Sequence, residues 1–217
     1  MTTQEKNGIT EGVIWKQLLI FFFPILVGSF FQQLYNTVDS VIVGQFVGKE
    51  ALSSVGGSAG QIISLVVGFF TGVSTGATVI ISQYFGAGKK EEIEESLHTA
   101  YAFALVGGLV LGIAGIVFAP QMLRWMNTPE ELIAESVLYV RVYFSGLIFI
   151  FIYNMGAAIL RAVGDSKRPL YYLIVCSVVN IILDLLLILV IPLGVLGAAI
   201  ATLIAQAVSA VLVTVTL

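Results

Sequence analysis

The sequence predicts an all-α membrane protein, a bundle of six transmembrane helices, and three observations carry that prediction. Hydrophobic residues make up 58% of the 217-residue chain, only 11% are charged, and the mean hydropathy is +1.01, whereas about a quarter of the residues of a soluble domain are charged. The apolar residues fall into six runs, each of the roughly 20 residues or more that a helix needs to cross about 30 Å of hydrocarbon. None of them alternates apolar with polar residues as a barrel strand would, and lipid tolerates only helices or closed barrels.

The first run, residues 14–47, follows a short polar tail at 1–13, "MTTQEKNGITEGV". It is far longer than the apolar core of a cleavable signal peptide and lacks a small-residue cleavage motif, so it reads as a span. Pro24 within it removes one backbone hydrogen bond and kinks the helix. The second run, 51–85, is also overlong, which implies tilted or irregular ends. Its "GGSAG" and "GFFTGVSTGA" stretches, like "GAAIA" in the sixth run, read as close-packing surfaces. "GKKEEIEES" then reads as a solvated helix start with its glutamates near the positive end of the helix. His98 opens the third run, 97–119, at headgroup level, and no second histidine exists to build a metal site with it.

The fourth run, 132–160, carries Arg141 in its outer part, where the guanidinium is expected to snorkel outward. "GDSKRP" is a turn before a proline suited to the first turn of a helix. The fifth run, 170–191, holds Cys176, and one cysteine excludes an internal disulfide and a thiolate cluster. The sixth covers 193–217. The domain organisation expected is thus a tail, 1–13, and one six-helix lobe, 14–217.

Threading six spans puts Lys6, Lys16, Lys89, Lys90, Arg161, Lys167 and Arg168 on one side and only Lys49, Arg124 and Arg141 on the other. By the positive-inside rule both termini face the cytoplasm, in a multi-pass protein of the cytoplasmic membrane. Basic residues around "GDSKRP" fit contact with anionic membrane lipids. The net charge of −3 says little, and nothing resembles a basic nucleic-acid surface.

Of the 13 carboxylates, all but Asp39 and Asp184 sit in the tail, loops or helix ends. An ionised Asp facing lipid costs roughly 2.5–3.5 kcal/mol, so both are expected to face the bundle interior. Asp184 lies about 10 Å from the outer end of its helix, Asp39 about as far, and Thr202 about 12 Å. All three can share one level. Asn180 is one turn from Asp184, and Tyr35 and Asn36 stand one turn from Asp39. Carboxylate, amide and hydroxyl oxygens form the ligand set of a hard cation or a proton relay. Asn180 or Thr202 alone would read as interhelical glue. Two carboxylates at one depth point instead to a site that can change charge.

These residues resemble the multidrug and toxic compound extrusion (MATE) family of prokaryotic type. "FFFPILVGSFFQQLYNTVDSVIVGQFVG" is similar to the family's first helix, "STGATVIISQYFGAGKKEE" to the end of its second, "LRAVGDSKRPLYY" to its fourth-to-fifth loop, and "NIILD" with "GVLGAAIATLIAQ" completes the pattern. The resemblance implies a cation-coupled antiporter of two six-helix lobes that exports drugs or other organic, often cationic, compounds. It places the coupling site at Asp39, Asn180, Asp184 and Thr202, with Tyr35 and Asn36 as network candidates and Pro24 as the bending point of the first helix. It implies no cofactor and no catalytic residue, only H⁺ or Na⁺ as coupling ion. It also implies a partner, since this chain matches only an amino-terminal lobe: a carboxy-terminal lobe or a second copy of the chain.

No Walker A motif, nucleophile elbow, HExxH or paired cysteine is present, which disfavours an enzyme. Two readings stand beside the antiporter. A lipid-linked saccharide flippase of the same superfamily would line its cavity with several cations, for which Arg141 is the candidate here, and a non-transporting membrane fragment would leave two interior Asp residues without a use.

Overall fold

The computed structural model describes residues 13–217; residues 1–12, and with them nearly all of the expected polar tail, lie outside the described residues. Among the described residues the chain is helical throughout, without strands. The first span is α1 (Ile14–Ile42), which runs on into a π-helical turn, Val43–Val47. The second is made of short α2 (Lys49–Gly56) and long α3 (Ser58–Gly86). The third is α4 (Lys90–Trp125), and the fourth is α5 (Glu130–Ser145) with α6 (Leu147–Ala162), bent by 49°. The fifth is α7 (Lys167–Asp184), which continues as a π-helical segment, Leu185–Val190, and the sixth is α8 (Val195–Thr216). Five of these spans are long and apolar enough to cross a membrane as they stand, and the bent pair supplies a sixth.

The bend is seated on α4. A Cβ added at Gly108 would lie 2.7 Å from Ile148 Cα, one at Gly112 2.9 Å from the Phe144 carbonyl oxygen, and one at Gly115 would overlap the Phe144 ring. The spacing of 108, 112 and 115 puts all three on one face, so α4 offers a groove without side chains into which the α5–α6 junction sinks. Phe70 of α3 stacks on Phe151 of α6 at 3.6 Å between ring centroids and lies 6.1 Å from Phe103 of α4, which ties three helices together in the core. Large apolar side chains such as Phe23, Leu65, Phe69, Val106, Phe118 and Val215 point outward. An apolar exterior over a packed interior suits lipid as solvent.

The small-residue stretches divide. "GAAIA" packs as expected, a Cβ on Gly197 falling within 2.9 Å of the Leu187 carbonyl oxygen. "GGSAG" instead forms the break between α2 and α3, where a Cβ on Gly57 would meet the Ser53 carbonyl at 2.5 Å. In "GFFTGVSTGA", a Cβ on Gly68, Gly72 or Gly76 would meet nothing within 4 Å, so this face of α3 is open rather than packed. The close-packing stripe lies on α4, where the runs of Leu, Val and Ile around the glycines hide it from a reading of composition.

Arg141 is exposed, as snorkelling requires, and it also bonds a neighbouring helix. Pro120 lies inside α4 and has no N–H, which leaves the carbonyl four residues earlier, Ile116, without its helical donor. Arg141 Nε donates to that Ile116 oxygen at 3.1 Å. The guanidinium repairs a gap in a neighbouring helix rather than only reaching for the surface. "GKKEEIEES" is the helix start expected: Glu91 and Glu92 occupy the first turn of α4, and Lys89 Nζ pairs with Glu92 Oε1 at 3.0 Å. Cys176 is a buried core residue, and His98 is exposed at the start of α4.

Candidate functional site: a carboxylate pair in the bundle

A cavity of about 850 Å³ runs along α1 from Pro24 to Asp39 and is walled by α3, α5, α6, α7 and α8. α1 packs against α7, and α7 against α8, so the polar residues of these three helices meet where the sequence placed them at one depth. Asp39 and Asp184 are close enough for one carboxyl group to hydrogen-bond the other when a proton lies between them. No other donor serves them: both oxygens of Asp184 and one of Asp39 are buried without a partner among the described residues. Asp184 is 0% exposed, so it sits behind Asp39, which faces the cavity.

Asn180, also 0% exposed, donates from Nδ2 to Thr202 Oγ1 at 3.5 Å, and its own Oδ1 has no donor. That bond spans α7 and α8 and turns the amide so that its oxygen is the free end. Thr202 lines the cavity, as do Tyr35 and Asn36. All four residues expected at the coupling site, and both expected in its network, are therefore gathered at one place. Pro24 lies at the far end of the same cavity, buried in α1.

The fold adds residues that the sequence reading missed. Gln206, one turn beyond Thr202 on α8, lines the cavity and holds Oε1 buried without a donor. Tyr139 and Tyr143, one turn apart on α5 with ring centroids 6.1 Å apart, line it near Asp39. Their signal was the i, i+4 spacing of two phenols on an otherwise apolar face. Both Asp residues also stand where helical winding changes, since each π-helical segment begins within four residues of its Asp. Single π turns inside α-helices recur at functional sites. Among the described residues the one basic side chain lining the cavity is Arg161 rather than Arg141, which leaves the lining short of the several cations a saccharide-lipid headgroup would call for.

The chemistry of this set is plain. It offers carboxylate, amide and hydroxyl oxygens beside the N–H and O–H groups of Asn, Gln, Thr and Tyr, which suits a proton or a hard cation and gives nothing to a soft metal. No group of three or more His, Cys, Asp or Glu side chains is placed to hold a metal ion among the described residues.

The comparisons with known proteins give the family. The MatE family model matches residues 24–186, three quarters of the chain. The chain belongs to the MatE family. The "Probable multidrug resistance protein YoeA" of Bacillus subtilis (strain 168) is 34% identical over 208 residues, covering 94% of this chain and 44% of that protein. The "FAD transporter" of Shewanella oneidensis is 26% identical over 207 residues, covering 92% and 45%. A solved structure described as the outward-facing conformation of a multidrug resistance MATE family transporter of the MOP superfamily superposes with a TM-score of 0.91 at 27% identity, covering 99% of this chain and 47% of that one. The chain thus spans about half the length of the relatives it matches, two of which are described as transporters.

Proposed function

We propose that this MatE chain is the cation-coupling lobe of an efflux antiporter in the cytoplasmic membrane, its termini on the cytoplasmic side. In this reading H⁺ or Na⁺ moving inward drives export of drugs or other organic, often cationic, compounds by alternating access. The second lobe that such a cycle needs is supplied by further chain or by a second copy. The observation that carries the reading is the Asp39–Asp184 pair, with three of its four oxygens buried and undonated.

Two carboxylates held together away from water repel one another unless a proton or a cation lies between them. Loading with one cation therefore takes the pair from two negative charges to one, removes the repulsion between the carboxylates and lets α1 and α7 close on it, while unloading drives them apart. Each state of the helices is the one that the charge state favours, which is all a coupling ion must achieve. Asn180 and Thr202 fix the oxygens around the pair, and Gln206 extends the acceptor set toward the cavity. Substrate bound between lobes then meets one shape of this lobe when the pair is loaded and another when it is empty.

The test is Asp39→Asn or Asp184→Asn in the full-length protein reconstituted in liposomes. Asn keeps the shape and removes the charge, so coupled efflux should vanish while folded yield holds. Export at the wild-type rate by either variant, with unchanged dependence on pH and on Na⁺, would reduce the pair to a packing clamp.

A further inference from the structure

We infer that Arg161 forms a binding point for an oxyanion, the carboxylate or phosphate of an amphiphilic molecule held inside the lobe. Nothing in the coupling reading uses this residue, and the inference stands without that reading because it is tested by binding.

Arg161 lies in the last turn of α6. It is partly buried, whereas Lys167 and Arg168, just beyond the following turn, are exposed. Its charge is turned into the protein: it lines the 850 Å³ cavity and also a second one of about 370 Å³ between α1, α3 and α6. Among the described residues it is the only basic side chain in either wall, and the second cavity has no carboxylate in its lining.

Among the described residues the guanidinium has no carboxylate partner. The acidic residue closest to it in sequence is Asp165, and both oxygens of Asp165 are engaged by other groups. Its Oδ2 takes Arg168 Nε at 3.2 Å, and its Oδ1 takes the backbone N–H groups of Lys167 and Arg168, each at 3.1 Å. An ionised side chain within a membrane bundle is costly, faces the interior or a water-filled cavity, and marks a pathway for charged or polar cargo. A planar guanidinium presents a fork of donors that fits a carboxylate or phosphate in bidentate fashion.

Two groups, Arg161 and Asn154, supply the donors for an anion here. Thr71, Ser74, Thr75 and Thr78 of α3 face the second cavity, but each hydroxyl gives its proton to a carbonyl of its own helix. They leave the donor role to Arg161. Asn154, two turns earlier on the same face of α6, lines both cavities and spends one Nδ2 proton on the Ile150 carbonyl at 2.8 Å, which leaves its second N–H. Arginine side chains on helices lean toward the N-terminus, and so toward Asn154. The apolar part of the ligand has Phe21 and Ala158 beside it in the second cavity.

Two sources share this chemistry, a free amphiphilic acid and an anionic phospholipid headgroup. The experiment uses the full-length protein in nanodiscs of phosphatidylcholine and a fluorescent aromatic carboxylic acid with its methyl ester as matched probes. The acid should bind about ten-fold more tightly than the ester, and Arg161→Gln should erase that difference while leaving ester affinity unchanged. Arg161→Lys, which keeps the charge and loses the fork, should retain only part of it and carries the test if the Gln variant fails to fold. Adding phosphatidylglycerol separates the sources: displacement of the acid in wild type assigns the site to a headgroup, and none assigns it to the free amphiphile. Equal affinity of acid and ester in the wild-type protein, or a preference that survives Arg161→Gln, overturns the inference and leaves Arg161 as a charge that caps the end of α6.

Discussion

Arg141 shows how one side chain answers a defect in another helix of the fold. Pro120 deprives the Ile116 carbonyl of its donor, and in lipid an unsatisfied carbonyl costs several kcal/mol because no water can replace the bond. Arg141 supplies the missing N–H at 3.1 Å. Arg141→Met should therefore lower unfolding stability in detergent by about 1 kcal/mol, the net contribution of a typical hydrogen bond, because this bond lies at the exposed side of the bundle. The same change should cost far less in a Pro120→Ala background, where the substituted alanine brings its own N–H to Ile116. A double-mutant cycle measures the difference directly. Equal costs in both backgrounds would show that Arg141 acts through its charge or its packing and not through this bond.

At the scale of elements, the six spans could be read from composition because lipid leaves the chain so few options. The polar cluster at Asp39 and Asp184 could be read because a carboxylate within an apolar run has almost nowhere to go but inward. What could not be read was whatever depends on a neighbour. The π-helical segment 185–190 is a run of Leu, Ile and Val that nothing local distinguishes from ordinary helix. Arg161 sits in sequence beside Lys167 and Arg168, and only the third dimension turns it away from them. Tyr139 and Tyr143 look like interfacial aromatics until α5 is bent inward beneath Gly146.

Pro24 was legible as a break but not as a wall of the cavity. Ile20 loses its helical hydrogen bond to Pro24, which leaves α1 pliant about 22 Å below Asp39, while the π turn at Val43–Val47 marks a second departure from α winding just above it. The segment that carries Asp39 is thus flanked by two points where a helix bends cheaply. Pro24→Ala restores the bond and should reduce efflux by the full-length protein more than it reduces folded yield. Unchanged transport with a collapsed yield would make Pro24 a packing residue.

The whole molecule combines a rigid half and a responsive one. α4, α5 and α6 are locked by the glycine groove and the stacked phenylalanines, whereas α1 meets the rest chiefly through α7 and leaves most of its length exposed. Under the proposed function, such a lobe changes the angle of α1 against a fixed frame when the charge at Asp39 and Asp184 changes. It cannot by itself present a substrate alternately to two sides of a membrane, because alternating access is a rocking of one repeat against another around a site between them. The open faces of α1 and α3, with Gly68, Gly72 and Gly76 unopposed, are where a second lobe would be met. The 217-residue chain expressed alone should therefore fold as a six-span bundle, give the helical circular dichroism of one, and show no dye efflux from liposomes under an imposed H⁺ or Na⁺ gradient. Gradient-driven efflux that rises with the square of chain density in the membrane would mean instead that two copies pair to make the missing half, and a crosslink between cysteines placed at Gly72 in each copy would then trap the pair.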